Sequence, residues 1–149
     1  MIAVIQRVSE ATLRIDGQIY SQIGLGFLVL LGIHQDDDAA DVAYLAQKIS
    51  GLRVFSDEEG KMNLDLRQVQ GKLLLVSQFT LHAQTKKGNR PSFIEAAKPD
   101  VAIPLYESMI RALEEKLEMP IQTGQFGADM KISLINDGPV TIIIDSKNP

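Results

Sequence analysis

Residues 130–145 read MKISLINDGPVTIIID, and this stretch sets the first expectation for the fold. Two runs rich in β-branched residues, Lys131–Ile135 and Val140–Ile144, flank a turn, which predicts a β-hairpin with Asp137–Gly138 at its tip. A hairpin tip does not require a proline. Because Pro139 has no N–H to donate where the second strand should begin pairing, the proline needs a separate explanation.

Further strands are predicted from the N-terminal half. Asp16–Gly17 joins the runs Ala11–Ile15 and Gln18–Ile23, a combination typical of a two-residue hairpin. Gly24–Ile33 is a continuous apolar run bounded by glycines, which is typical of a strand buried on both faces. Lys72–Leu81 predicts another strand with an apolar centre. Shorter features are strands at Ile2–Val8 and Arg53–Phe55 and a turn at Asp57–Gly60.

Two segments show the three- and four-residue spacing of amphipathic helices. The first helix closes at Gly51, and the acidic residues Asp36–Asp38 supply favourable charge at its positive end. The second covers about Asp100–Glu118, with Pro104 tolerated because it is expected in the first turn. The first apolar stripe is Val42, Leu45, Ala46 and Ile49, and the second is Ile103, Tyr106, Met109, Ile110, Leu113 and Leu117.

The order strands, helix, strands, helix, strands predicts one mixed α/β domain over residues 1–149. No linker, internal repeat or low-complexity tract divides the chain. The tail Ser146–Pro149 is expected to be disordered.

Composition excludes several classes of protein. The chain has no cysteine, which rules out disulfides, thiolate zinc sites and cysteine nucleophiles. No stretch approaches the roughly 18 apolar residues of a membrane span, and the N-terminus has no signal-peptide pattern, so a cytoplasmic protein without membrane contact is expected. The net charge of −4 argues against general nucleic-acid binding.

One local basic segment remains, Thr85–Pro91, with three cations in five residues, Lys86, Lys87 and Arg90. Its glycine and proline indicate a loop. From the residues alone, a solvated loop is the more economical interpretation, and contact with RNA phosphates is the alternative.

Candidate chemistry is concentrated at Val76–Leu81, where polar side chains follow an apolar strand. A hydroxyl nucleophile, Ser77 or Thr80, would need a base, and His82 would share a face with Thr80 if the strand continued. A polar strand end without catalytic function is the favoured alternative. His34 with the neighbouring aspartates imitates a metal site, but helix-start chemistry explains them better, and no metal or cofactor is expected.

Six motifs, in order and with matching spacing, resemble those of the D-aminoacyl-tRNA deacylase family. The resemblance covers nearly the whole chain, and the combination of the third and sixth motifs is the most specific. The motifs are IQRV (5–8), FSDEEGKMNLD (55–65), VSQFTL (76–81), GNRPSF (88–93), TGQFGADM (123–130) and NDGPVT (136–141).

The resemblance implies a barrel-like sheet with two main helices and a homodimer with active sites at its interface. It implies hydrolysis of the ester between a D-amino acid and tRNA, leakage to glycine, including glycine mischarged on tRNA-Ala, and rejection of L-aminoacyl-tRNA. In the family, the pair matching Gly138–Pro139 is a cis dipeptide that enters the other subunit's pocket. Arg7 matches an arginine that holds this pair.

The resemblance assigns the catalytic wall of the pocket to Ser77, Gln78, Phe79 and Thr80 and further lining to Ala128 and Met130. With a tRNA substrate, Lys86, Lys87 and Arg90 become candidates for phosphate contacts. Two mechanisms stay open: Thr80 as a nucleophile, or attack by water assisted by the ribose 2′-hydroxyl. We favour the second, with main-chain N–H groups near Phe79 and Thr80 polarising the carbonyl.

Two other functions are kept as alternatives. One is a small-ester hydrolase that uses Thr80 or Ser77. The other is a non-enzymatic RNA-binding or replication-associated module on the same fold.

Overall fold

The computed structural model describes all 149 residues. It has two α-helices, eight strands and one short 3₁₀ turn, Phe79–His82, named here the 3₁₀ turn. The helices are α1 (Ala39–Ser50) and α2 (Pro99–Leu117). The strands are β1 (Ile2–Ile15), β2 (Gln18–Ile23), β3 (Gly26–Gly32), β4 (Phe55–Ser56), β5 (Met62–Leu64), β6 (Lys72–Ser77), β7 (Gln122–Thr123) and β8 (Lys131–Asp145).

The long strand β1 organises the six-stranded main sheet. One edge of β1 pairs with β3 through its first half and with β2 through its second half, while β8 pairs with the other edge along both halves. Strand β3 continues the sheet through parallel pairing with β6, and β6 pairs with β7. The result is the predicted mixed α/β domain, a nearly closed, barrel-like sheet with two helices.

Apolar side chains fill both faces of the sheet. A cluster of 22 buried residues lies between the sheet and the helices, and a second cluster of seven lies inside the curved sheet. Neighbouring residues of β3, Phe27 and Leu28, contribute to different clusters, and so do Leu73 and Leu74 of β6. This alternation confirms that β3 is buried on both faces.

The hairpin predicted for residues 131–144 is wrong. Both runs belong to β8 and pair with β1, not with each other. Between the pairs Gln6–Thr141 and Val8–Asn136, β1 contributes only Arg7. Residues 137–140 of β8 therefore bulge out as a loop, named here the Gly-Pro loop, and Pro139 lies where no ladder hydrogen bond is required.

The N-terminal turn and first helix agree with prediction. Asp16 and Gly17 have φ of 51° and 78°, the left-handed conformation that a tight two-residue hairpin requires. Asp38 caps α1 by accepting from the Ala40 N–H, while the Asp41 carboxylate accepts from the Asp38 N–H. This reciprocal pair gives Asp38 the expected place at the helix start. Asp37 has a different role, since its buried carboxylate accepts from the His34 N–H at 2.7 Å.

Helix α2 is confirmed, but two details of its prediction are wrong. The helix begins at Pro99, so Pro104 lies inside it and beyond the first turn. The proline removes the hydrogen bond to the Asp100 carbonyl, and because Asp100 is exposed, water can satisfy that group. Ile103 is 37% exposed and does not belong to the buried stripe.

Strand β6 also ends earlier than predicted. It stops at Ser77, and the chain then turns into the 3₁₀ turn instead of continuing to Leu81. The predicted strand at Arg53–Phe55 is displaced to Phe55–Ser56, where it pairs with β5.

The C-terminal tail is held in place, contrary to the expected disorder. The Ser146 hydroxyl donates to one Asp41 oxygen at 2.6 Å, and the Lys147 ammonium donates to the other at 2.8 Å. Burial opposes ionisation of Asp41, but these two hydrogen bonds, together with the one from the Asp38 N–H, outweigh it and lower its pKa to about 2. The composition of the tail did not indicate this, because its partner lies on α1.

No helix in the structure is long and apolar enough to cross a membrane.

Candidate active site

A cavity of about 270 Å³ opens where β3 and β6 end. The carboxyl ends of these two parallel strands meet there, which is a common position for sites in α/β sheets. The 3₁₀ turn forms one side, and residues 126–130 form the opposite side. Most of the lining is apolar, with a small number of polar groups, as in pockets for small ligands.

The cavity brings together five of the residues selected from the sequence. Ser77, Gln78 and Phe79 line it from the end of β6, and Ala128 and Met130 line it from the other side. Four other selected residues, Thr80, Gly138, Pro139 and Arg7, do not line the cavity within this one chain.

The start of the 3₁₀ turn is fixed to β3. The Gln78 N–H donates to the Leu31 carbonyl at 2.8 Å, and the first hydrogen bond within the turn runs from the Leu81 N–H to the Gln78 carbonyl at 3.3 Å. The amides of Phe79 and Thr80 lie between these two bonds. Because the opening N–H groups of a helical turn have no partner inside it, they are available to an external acceptor.

Thr80 has no base beside it. Its hydroxyl accepts a hydrogen bond from the Gln78 side-chain amide at 2.6 Å, and an amide nitrogen cannot take up a proton from a nucleophile. His82 is buried against His34, with the ring centroids 5.3 Å apart, and its Nε2 has no partner. The condition for a Thr80–His82 pair, a strand that continues through both residues, is not met, because β6 ends at Ser77.

An aromatic pair stands beside the cavity. Phe79 contacts Phe93 edge to face, with ring centroids 5.1 Å apart, and remains 55% exposed. Phe79 therefore presents a partly exposed apolar ring at the wall of the cavity.

Tyr106 of α2 supports the cavity from below. Its hydroxyl donates to the Leu75 carbonyl at 2.9 Å, and the Gly124 N–H donates to the same carbonyl at 3.0 Å. Burial raises the pKa of Tyr106 above its ordinary value. The ring also packs 6.0 Å from that of Phe126, which lines the cavity.

The Gly-Pro loop is exposed and firmly anchored. The bond between Gly138 and Pro139 is cis, as the resemblance implied. Arg7 Nε donates to the Asp137 carbonyl at 2.8 Å, and Arg7 Nη1 donates to the Val54 carbonyl at 2.6 Å. The Asn136 side chain closes the base of the loop by accepting from the Val140 N–H at 2.8 Å.

Position 138 accepts no larger residue without strain. Gly138 has φ of 140°, which L side chains rarely adopt. A Cβ there would lie 3.0 Å from Arg7 Nη2 and 2.8 Å from the Val140 side chain. A larger residue at position 138 would therefore press against the same guanidinium that anchors the loop.

The basic segment Thr85–Pro91 is a loop, as predicted. Two hydrogen bonds between Gln84 and Ser92, at 2.8 and 3.0 Å, close its base. All of its residues are exposed, including its three cations, Lys86, Lys87 and Arg90.

No group of three or more His, Cys, Asp or Glu side chains in the structure is arranged to hold a metal ion.

Sequence reasoning missed part of the lining. Phe126 lies inside the motif TGQFGADM but was not selected, although an aromatic residue in a family motif was an available sign. Ile33, Ala97 and Ala102 also line the cavity, and they lie in segments that carry no motif.

Comparison with known proteins supports the resemblance seen in the motifs. The profile of the D-Tyr-tRNA(Tyr) deacylase family matches residues 4–145. The D-aminoacyl-tRNA deacylase of Cytophaga hutchinsonii is 62% identical over 148 residues, covering 99% of both chains. That of Parabacteroides distasonis is 56% identical over 148 residues, again covering 99% of both.

Solved structures agree with the fold. The c-Myc DNA Unwinding Element Binding Protein superimposes with a TM-score of 0.91 at 40% identity, covering 97% of this chain and 98% of that protein. A probable eukaryotic D-amino acid tRNA deacylase superimposes with a TM-score of 0.81 at 17% identity, covering 96% and 97%, and this likeness bears on the fold alone.

These findings confirm the enzyme class inferred from the sequence motifs, a deacylase of D-aminoacyl-tRNA that acts in translation proofreading. The chain belongs to the D-Tyr-tRNA(Tyr) deacylase family.

Proposed function

We propose that the cavity beside the 3₁₀ turn receives the aminoacyl end of D-aminoacyl-tRNA and that water hydrolyses the ester there. The observation that carries this proposal is that the 3₁₀ turn, which begins with the Phe79 and Thr80 amides and is fixed to β3, borders an apolar cavity that Phe79 lines. The volume of about 270 Å³ lies slightly below the usual range for small-ligand pockets and suits a single amino-acid residue.

The reaction needs little from the side chains. The oxygen of water attacks the ester carbonyl, the Phe79 and Thr80 amides stabilise the oxyanion, and the ribose 3′ oxygen leaves with a proton. The ribose 2′-hydroxyl assists the attacking water. One preorganised donor of this kind is worth roughly 10²–10³ in rate, which suffices for an activated ester held in position.

The hydrogen bonding of Thr80 supports attack by water over an acyl-enzyme. Its hydroxyl is occupied by the Gln78 amide, and no group able to take its proton is bonded to it. Thr80→Ala is therefore expected to retain most of the single-turnover rate. Near-complete loss of the rate would restore the nucleophilic mechanism.

Chiral selection is assigned to the Gly-Pro loop of a second copy of the chain, which completes the cavity in a homodimer. Supporting this, the loop is exposed, anchored by Arg7 and absent from the cavity of its own chain. Main-chain atoms that leave no space for an L side chain reject by exclusion and tolerate many D side chains. Glycine has no side chain to exclude, so glycyl-tRNA, including glycine mischarged on tRNA-Ala, is also a substrate.

The basic loop Thr85–Pro91 is proposed to contact tRNA phosphates. Its cations are exposed and lie in the segment between the 3₁₀ turn and Phe93, whose ring contacts the cavity-lining Phe79. A local patch of this kind fits a chain whose overall charge of −4 disfavours general nucleic-acid binding.

The deciding experiment compares hydrolysis of D-tyrosyl-tRNA and L-tyrosyl-tRNA by wild type and Pro139→Ala, with a metal chelator present. Wild type is expected to cleave only the D form, and the variant is expected to lose discrimination or activity. If wild type binds charged tRNA and cleaves neither form, the nucleic-acid-binding alternative replaces the deacylase. Rapid turnover of a simple ester lacking RNA would favour the small-ester hydrolase.

A further inference from the structure

Gly32, the last residue of β3, lies directly beneath the 3₁₀ turn. A Cβ at this position would lie 2.9 Å from Leu81 Cβ, 3.0 Å from the Gln78 carbonyl oxygen and 3.2 Å from His82 Cδ2. All three neighbours belong to the 3₁₀ turn or to the residue that opens it. Gly32 itself does not have a positive φ, so its backbone conformation is open to any residue. Glycine is required here because a side chain would have no space beneath the turn.

The missing side chain sets the height of the turn above the sheet. The hydrogen bond from the Gln78 N–H to the Leu31 carbonyl fixes the turn laterally, one residue before Gly32. Strand β6 reaches this point in parallel register with β3, with Ser77 beside Leu31. Nothing except the hydrogen of Gly32 separates the end of β3 from the Gln78 carbonyl and the Leu81 Cβ.

We propose that Gly32 is a positioning residue: the absence of a side chain at position 32 places the Phe79 and Thr80 amides at the height that oxyanion stabilisation in the adjoining cavity requires. This inference rests on the proposed hydrolysis at that cavity. Gly32 acts through the turn and touches no reacting atom.

The size of the effect follows from the contacts. Distances of 2.9 to 3.2 Å are short enough that a Cβ would push the turn away by a few tenths of an ångström, without burying a bulky group. A misplacement of about 1 Å costs on the order of 10²-fold in rate, so a shift of this size should cost roughly three- to tenfold. The loss should appear mainly in the rate of the bound complex, because most of the apolar lining lies outside the turn.

The test uses Gly32→Ala in the full chain, with Gly24→Ala as the matched control. Gly24 has no positive φ, and a Cβ there would meet no atom within 4 Å, so this variant reports the generic effect of the same substitution. Single-turnover hydrolysis of D-tyrosyl-tRNA is measured over a range of enzyme concentrations, which separates the maximal rate from the half-saturating concentration. Melting temperature is recorded for each variant.

A maximal rate three- to tenfold below wild type, with the half-saturating concentration within about twofold, supports the proposal. Gly24→Ala should match wild type in both. Combining Leu81→Gly with Gly32→Ala removes the nearest contact. The rate loss caused by Gly32→Ala should therefore be smaller in the Leu81→Gly background than in wild type. If Gly32→Ala fails to fold, this double variant becomes the test, and it must fold and remain slower than Leu81→Gly.

Three results would overturn the proposal. An unchanged maximal rate in Gly32→Ala, with active wild type, removes the positioning role and leaves the proposed hydrolysis intact. A rate loss equal to that of Gly24→Ala does the same. Wild type that cleaves neither chiral form removes the proposed function, and the positioning role falls with it.

Discussion

Replacement of Arg7 by methionine tests whether the Gly-Pro loop depends on its anchor. The substitution keeps most of the apolar stem and removes the guanidinium, which is 12% exposed together with the rest of the side chain. Two carbonyl groups lose their donors. The Asp137 carbonyl lies on the exposed loop and can bind water, so losing its hydrogen bond from Arg7 costs little free energy of unfolding.

The Val54 carbonyl dominates the cost. Val54 is only 8% exposed, and its carbonyl accepts from Arg7 Nη1 at 2.6 Å. A buried acceptor left without a donor costs about 1–3 kcal/mol, so we expect the free energy of unfolding to fall by about 2 kcal/mol. For a chain of 149 residues this corresponds to a drop in melting temperature of roughly 4–8 °C.

Chiral discrimination should fall by more than the loss of folded protein alone would explain. Without Arg7, residues 137–140 lose the bond that fixes them to β1, and cleavage of L-tyrosyl-tRNA should rise relative to that of D-tyrosyl-tRNA. Arg14→Met, on the same strand β1, is the control for a lost arginine charge. Unchanged chiral discrimination in a destabilised Arg7→Met would refute the anchoring argument, and unchanged stability would refute the hydrogen-bond argument.

Three further outcomes are expected. Tyr106→Phe should lower the free energy of unfolding by only about 1 kcal/mol in chemical denaturation, because the Leu75 carbonyl keeps its bond from the Gly124 N–H; a loss above about 3 kcal/mol would contradict this. The pKa of Asp41 is lowered from 3.8 to about 2, so the stability that its carboxylate contributes is present above pH 4 and is lost as the pH falls through 2. Wild type should be about 2 kcal/mol more stable than Asp41→Asn at pH 5, and this difference should shrink between pH 4 and pH 2. A constant difference would show that the carboxylate charge is irrelevant. Lys86→Ala combined with Lys87→Ala should weaken tRNA binding and reduce the slope of log affinity against log salt by about one for each lost phosphate contact, whereas Lys61→Ala, which removes an exposed lysine paired with Glu59, should leave the slope unchanged.

Local sequence patterns predicted the elements whose causes are local. The Asp16–Gly17 turn, the capped start of α1 and the buried strand β3 all depend on neighbouring residues, and each was found where expected. The early end of β6 was missed because polar residues after an apolar run fit either a continued strand or a turn.

Long-range pairing explains the larger errors. A local hairpin was the economical interpretation of residues 131–144, yet β1 has 14 residues and offers a free edge to both halves of β8. The tail was misjudged for the same reason, since Ser146 is held by Asp41, 105 residues away. Contacts of this separation leave no trace in residue spacing.

The candidate site shows the same difference between features with local causes and features with distant causes. The motif around Ser77–Thr80 identified one wall of the cavity, because a polar strand end is visible in the sequence. It did not indicate that the same wall depends on the empty space at Gly32, because a glycine at a strand end is ordinarily interpreted as a boundary.

The two parts of the proposed site are supported by different regions of the fold. The 3₁₀ turn is fixed to β3, which is buried on both faces, so the amides proposed to stabilise the oxyanion are held by the core. The Gly-Pro loop bulges from β8 and is held by one arginine. Because stabilisation of an oxyanion is insensitive to the configuration of the α-carbon, whereas exclusion of an L side chain is not, rate and chiral selectivity can be altered separately. Changes at position 32 should slow D-aminoacyl and glycyl esters equally, while changes at position 7 should act on the ratio of D to L.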